Sequence, residues 1–415
     1  MFWLRPGHGL VPADLDHPVT SDARYSGRLV TTGRSVIVNC RNGRIESVID
    51  APESVDCWLA PGFIDLQVNG WAGWDFNGDS WGAHPADAKG HAEIAAGMAE
   101  AGVTTFAPTI TTAPLPRMRE RLAAIAASLM AHPALERATI GIHVEGPWIS
   151  PEDGPRGAHP ADSVRNPDWA DFEMLQDAAG GAIRLVTLAP ELPGAIRFIE
   201  QLVAAGVCVS LGHTAATPAQ IRIAADAGAT VSTHLGNAAH AVLPRHPNYI
   251  WQQLADDRLT ATIIADGRHL PPEVIQVFAR VKSPGRLALV SDVMSLAGMP
   301  PGLYANGTYE IQSDGGLNLA GTPYLAGAAH RLNVGLENLL RCTGMGLAEA
   351  VATVTETPAR IAGASRKGVA AAGYDADLTL FTLDDAGELA ITAAIRAGKV
   401  VWSAAEGSFV SEPRE

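Results

Sequence analysis

Hydrophobic and polar positions along the chain fall into two textures. At residues 26–58 and again at 373–402, apolar and polar residues alternate in short runs. A period of two is that of a strand with one buried face. In the first segment, Asn42-Gly43 stands between two such runs. That dipeptide favours a tight hairpin, because both turn residues must take positive φ. The second segment is broken at 385–387 and at Gly398. β-rich segments at opposite ends of a chain can pair into one small domain beside a central body.

Between these ends, short apolar runs alternate with helical stretches such as "PAQIRIAADAG" (218–228) and "PPEVIQVFARV" (271–281). The pattern predicts eight strands, at 62–70, 104–112, 138–146, 183–191, 207–215, 230–238, 259–267 and 286–294. Eight successive β/α units indicate an α/β protein built on a (β/α)8 TIM-type barrel. A doubly wound open sheet shares the pattern, but no Gly-x-Gly-x-x-Gly follows the first strand. The expected division is a barrel over 60–364 and a small β-sandwich domain formed by 1–59 and 365–415.

Composition narrows the function class. Of 415 residues, 47% are hydrophobic and 18% charged, enough apolar material for a large core. A formal net charge of -14 argues against nucleic acid or an anionic membrane as partner. An anionic substrate would need a local basic pocket set against that field. The four cysteines include no C-x-x-C pair, which fits a reducing compartment. MFWLRPGHGL has no continuous apolar stretch, and no run approaches ~18 apolar residues. The expectation is a cytoplasmic protein with a small-molecule substrate.

Several predicted strands end in residues that do chemistry: Gln67 and Asn69, His143 and Glu145, His213, His234, Asp266 and Asp292. In a barrel, the C-terminal strand ends ring the mouth where active sites form. A carboxylate at Glu145 is costly there unless it is paired or binds a cation. A lone histidine at a strand end is more often a satisfied core residue than a ligand. His213 and His234 lie on successive strands, with Glu145 across the mouth. Two imidazoles, one carboxylate and an open fourth position suit a catalytic zinc ion. Iron(II) or another divalent ion could also occupy such a site, because ligand type does not fix the metal. Asp292 is either a paired structural carboxylate or a general base for an attacking water. Asp266, before a glycine, reads as a turn residue, and His269 beyond it could contact substrate. His159, in "RGAHP", sits on the loop after the third strand. His8, His17, His84, His91, His132 and His330 read as surface or core residues.

One stretch breaks the metal-hydrolase pattern. "PGFIDLQVNG" (61–70) places Gln67 and Asn69 where many metal hydrolases carry His-x-His, and amides bind transition metals poorly.

Taken in order, "PGFIDLQVNG", "HVEGP", "GAHP", "LGHTAATP", "THLGNA", "ADGRH" and "VSDVMSLAG" resemble the N-acetylglucosamine-6-phosphate deacetylases of the amidohydrolase superfamily. The resemblance runs from about residue 59 to 377. It implies one divalent metal per chain, held by Glu145, His213 and His234, with Gln67 and Asn69 marking a vacated second site. It implies amide hydrolysis in which His159 and the metal polarise the acetyl carbonyl. Asp292 would deprotonate the water and then protonate the leaving amine. It places the sugar phosphate against Asn237, Ala238, His269 and Arg245, the last reaching across a homodimer. The segment "THLGNAAHAVLPRHPN" departs from the family: Gly236 replaces an aromatic, Ala239 a methionine, and "RHPN" the usual Arg-Glu-Pro-Gly. A related amidohydrolase acting on an unphosphorylated sugar, an N-acyl amino acid or a cyclic amide therefore stays open. A non-catalytic sugar-binding barrel would be expected to lack a ligand or the base, and all are present.

Overall fold

The structure, a computed structural model, describes residues 22–78, 82–322 and 325–404. The opening MFWLRPGHGL, with His8, and His17 beyond it lie outside the described residues.

Eight parallel strands follow one another around a single sheet: Phe63–Val68, Val103–Thr111, Ile142–Glu145, Ile183–Leu188, Cys208–Leu211, Val231–Ser232, Thr260–Ile263 and Leu287–Leu289. All eight fall on the predicted stretches to within one residue. Most are shorter than expected, because the chain leaves the ladder before its polar strand end. The sheet closes where Val68 bridges Val293 in parallel. There the Asn69 N–H donates to Val293 O at 2.9 Å, and the Asp292 N–H to Gln67 O at 3.0 Å. Closure excludes the doubly wound alternative.

Side chains sort by the two faces of these strands. Ile64, Leu66, Leu185, Val231, Ile264, Ala288 and Val290 pack together in the barrel's interior. Phe63, Val68, Phe106, Ile110, Val186 and Val209 pack outward against helix residues such as Met98, Leu122, Leu202 and Phe278. Where Asp87, Asp168, Thr217 and Asn248 precede helices, their side chains satisfy the first free N–H groups. Thr217 and Gln220 form a reciprocal capping box ahead of Pro218–Asp226. Such a cap contributes about 1 kcal/mol.

The two chain ends meet in a seven-stranded sheet, ordered Lys399–Ser403, Leu389–Arg396, Leu378–Leu383, Trp58–Pro61, Ala23–Leu29, Ser35–Arg41 and Arg44–Asp50. Trp58–Pro61 joins the halves, pairing with Arg28 and Leu29 on one side and with residues 378–381 on the other. The predicted hairpin is present: Asn42 (φ 51°) and Gly43 (φ 76°) take the left-handed backbone its turn requires. A three-stranded antiparallel sheet, Gly302–Tyr304, Tyr309–Ile311 and Leu317–Leu319, follows the eighth barrel strand and was not expected from the pattern. Among the described residues, no helix is long and apolar enough to cross a membrane.

Candidate active site

At the C-terminal ends of the barrel strands the backbone departs from the pleat. His213 (φ 49°), His234 (φ 27°), Ala238 (φ 46°) and Asp292 (φ 52°) are all left-handed. Such a conformation costs a non-glycine residue of order 1–3 kcal/mol, and it clusters where function demands it.

Glu145, His213 and His234 converge there, all buried. Glu145 Oε1 lies 3.1 Å from His213 Nε2 and 3.0 Å from His234 Nε2, and the two nitrogens are 3.1 Å apart. The three atoms form a nearly equilateral triangle. Bonds of about 2.0–2.2 Å in a tetrahedron imply ligand separations near 3.3 Å, so its size fits a zinc-like ion. The protons give a second test. His213 Nδ1 donates to Pro155 O at 2.9 Å, an outer hydrogen bond of the kind that fixes a metal-ligating imidazole. If both Nε2 atoms were protonated, two N–H groups 3.1 Å apart would compete for one oxygen. One cation satisfies all three atoms as lone-pair donors. The donor set therefore fits a divalent metal.

The two amides of the first strand hold the two carboxylates of the site. Gln67 Nε2 donates to Glu145 Oε1 at 3.0 Å, and Asn69 Nδ2 to Asp292 Oδ1 at 2.7 Å. Burial pushes the Asp292 carboxyl up to about 6, helped by the nearby Glu145 charge and opposed by His234 and the Asn69 hydrogen bond. Burial, with the neighbouring His213, pushes His159 down to about 3, so its ring is neutral. His159 Nε2 stands 3.9 Å from Glu145 Oε2, and its ring packs edge-on against His213 at 4.3 Å between centroids.

Glu145, His159, His213, His234 and Asp292 line one cavity of about 750 Å³, together with Asn69, Asn237, Ala238 and His269. Asn237 Nδ2 is buried with no protein partner, a donor left for something in the cavity. Asp266 is the expected turn residue: Oδ1 accepts from the N–H groups of Arg268 and His269, both at 2.9 Å. Its Oδ2 also orients His269 by accepting from Nδ1 at 2.8 Å. Two strand-end or loop residues lie elsewhere. His143 is a satisfied core histidine, bonded to Thr187 Oγ1 at 2.8 Å and Leu66 O at 3.2 Å. Arg245 is exposed and does not line this chain's cavity.

The cavity wall includes residues that the sequence pattern did not single out. Asn77 accepts from the Thr111 N–H at 2.7 Å and donates to Thr109 O at 3.1 Å, shaping the wall beside the second strand. Its Asn-Gly context was the available signal. Met294, Tyr309, Leu319 and Leu325 form an apolar side, Tyr309 and Leu319 coming from the three-stranded insertion. Nothing local marks them.

Comparison with known proteins agrees with the motifs. Residues 58–401 match the amidohydrolase family profile. An N-acetylglucosamine-6-phosphate deacetylase of Bos taurus is 36% identical over 361 residues, 84% of this chain and 85% of that protein. An N-acetylgalactosamine-6-phosphate deacetylase of Escherichia coli O157:H7 is 33% identical over 306 residues, 74% of this chain and 78% of that protein. Among solved structures, a Mycobacterium smegmatis N-acetyl-D-glucosamine-6-phosphate deacetylase variant, in complex with N-acetyl-D-glucosamine-6-phosphate, superposes with a TM-score of 0.81. It is 32% identical, and the match covers 92% of this chain and all of that one. On profile, identity and coverage together, this chain belongs to the amidohydrolase family.

Proposed function

We propose that this protein removes the acetyl group of N-acetylglucosamine-6-phosphate by metal-dependent amide hydrolysis, giving glucosamine-6-phosphate and acetate. The observation that carries the reading is convergence. The Glu145–His213–His234 triangle, neutral His159 and an Asn69-held Asp292 share one cavity with Asn237, Ala238 and His269.

Glu145, His213 and His234 hold one divalent ion, zinc by the preference of two nitrogens and one carboxylate oxygen. When bound, such an ion supplies Lewis-acid polarisation of the amide carbonyl and lowers the pKa of the attacking water. His159 presents a neutral ring to the carbonyl oxygen and stabilises the charge that develops there. Asp292 takes the proton from the water and then delivers it to the leaving nitrogen. Asn69 holds one Asp292 oxygen and leaves the other for that proton. Gln67 orients Glu145, so the amides of the vacated second site act as hydrogen-bond donors. Asn237, Ala238 and His269 receive the phosphate, with Arg245 contributed by a second copy in a homodimer.

Acetate release should be measured on N-acetylglucosamine-6-phosphate, its galacto epimer and unphosphorylated N-acetylglucosamine, beside elemental analysis. The expected result is about one metal per chain, as a single three-ligand site requires. The phosphorylated sugar should be preferred at least about a hundredfold in kcat/KM, the worth of one or two charge-assisted hydrogen bonds. No acetate from either phosphorylated sugar would sink the reading. Two metals per chain would overturn the single-site assignment.

The pH profile follows from the base. Asp292 works ionised, and its carboxyl is raised to about 6 by burial and Glu145. Activity is therefore lost as pH falls through that value. A bound cation favours the carboxylate and can only lower it. The acid limb of kcat/KM is expected at or below about pH 6. A limb at pH 7 or above would point to a different base.

A further inference from the structure

Asp65 is a carboxylate in an otherwise apolar stretch of the first barrel strand, fully buried, and no step above uses it. The strand is irregular at this point. Asp65 pairs with Phe106 and Val68 with Pro108, so three steps on one strand oppose two on the other. This is a β-bulge, which re-aims the side chains beyond it. Ile64 and Leu66 face the barrel interior, yet Gln67 and Asn69 reach Glu145 and Asp292 in the cavity. Successive side chains of a regular strand alternate, so Leu66 and Gln67 could not both face inward without the extra residue.

A bulge leaves backbone donors without ladder partners. Asp65 Oδ1 supplies what is missing, accepting from the Gln67 N–H at 3.2 Å and the Ser291 N–H at 3.1 Å. Ser291 directly precedes the left-handed Asp292. The ladder resumes one residue later, with Asp292 N–H on Gln67 O at 3.0 Å. A single oxygen thus spans the seam where first and eighth strands close the barrel.

We propose that Asp65 is a positioning residue for the hydrolysis: by accepting the Gln67 and Ser291 amides, it holds the bulge that aims Gln67 at Glu145 and Asn69 at Asp292. The proposal rests on Asp292 being the base.

The test compares Asp65→Ala and Asp65→Asn in the full, metal-loaded chain, with kcat expressed per bound metal. Asparagine keeps the accepting oxygen, and alanine removes it. Asp65→Ala should lose at least about thirtyfold in kcat with KM within about threefold, as misplaced catalytic groups do. Backbone hydrogen exchange should rise in segments 63–69 and 289–294 of that variant and stay unchanged in the remaining strands. Asp65→Asn should keep at least about a third of kcat and the wild-type exchange pattern, because both acceptor bonds survive. A merely stabilising residue would lower the metal-loaded fraction and leave kcat per metal alone; that result in Asp65→Ala overturns the proposal. Asp65→Asn falling as far as Asp65→Ala also overturns it. Should the alanine variant not fold, a folded Asp65→Asn that loses tenfold or more decides against it just as clearly. If Asp292→Asn proves fully active, the base assignment itself fails. If Asp292→Asn is inactive and Asp65→Ala is normal, only the role of Asp65 fails.

Discussion

Asp292→Asn is expected to lower kcat by about 10²–10⁴-fold, the range for removing a positioned general acid–base. Asparagine matches aspartate in shape and can still accept the Asn69 Nδ2 hydrogen bond that now reaches Oδ1 at 2.7 Å. What it lacks is basicity. In the proposed reaction one group makes both proton transfers, from the water and then to the amine, so raising the pH cannot substitute for it. The three atoms assigned to the metal are Glu145 Oε1, His213 Nε2 and His234 Nε2, and Asp292 is not among them. Metal content should therefore stay at about one per chain, the stoichiometry of a single site. KM should hold within about threefold, since uniform substrate binding is untouched. Steady-state rates on N-acetylglucosamine-6-phosphate with elemental analysis of the same sample provide the check. Full-rate hydrolysis by a folded Asp292→Asn chain would remove the mechanism while leaving the family assignment intact.

The second large effect is expected at Glu145. Its carboxylate is buried, and burial alone would raise it; the hydrogen bonds and charges of His213 and His234 more than reverse that, holding it well below the usual carboxylate range. Glu145→Gln keeps the volume and removes the one anionic donor among the three proposed ligands. A neutral amide is a poor ligand for transition metals. The cavity should lose its ion, and with it several kcal/mol of transition-state stabilisation, about a thousandfold or more in rate. In the metal-free chain the carboxylate is held ionised by His213 and His234, so its loss should also lower the thermal stability measured under chelator. The metal count therefore carries the test. A metal-free, folded and inactive variant identifies Glu145 as a ligand. A variant that keeps about one metal per chain would move the site elsewhere, because three protein ligands are the minimum for such an ion.

Much of this architecture is legible in the sequence alone. The Asn42-Gly43 hairpin, the eight barrel strands and the capped helix at Pro218–Asp226 follow from spacing a few residues long. So do the polar strand ends. Glu145, His213 and His234 each stand where an apolar run stops, and a barrel gathers such ends at one mouth. The motif order also carried the family assignment, with the amidohydrolase profile spanning 58–401.

Local pattern is silent where facing depends on partners. His143 and Glu145 are two apart on one strand and share a face, yet His143 is satisfied by Thr187 and Leu66 O while Glu145 meets two histidines. Depth within the barrel separates them, and spacing does not encode depth. Arg245, expected to act from a second copy, is exposed on this chain and does not line its cavity.

By itself, then, the sequence determined the element types, the barrel class and the residue types available at its mouth, because side-chain periodicity and turn chemistry act over a few residues. Tertiary structure alone decided which of those residues meet. The bulge at Asp65 turns Gln67 onto Glu145 and Asn69 into the cavity, and closure through Val68 and Val293 brings Asn69 onto Asp292 across 223 positions of chain. The insertion at 302–319 then supplies an apolar wall that no strand-end signature announces. Register, closure and side-chain depth are set by contacts between distant segments, and such contacts exist only once the barrel has closed.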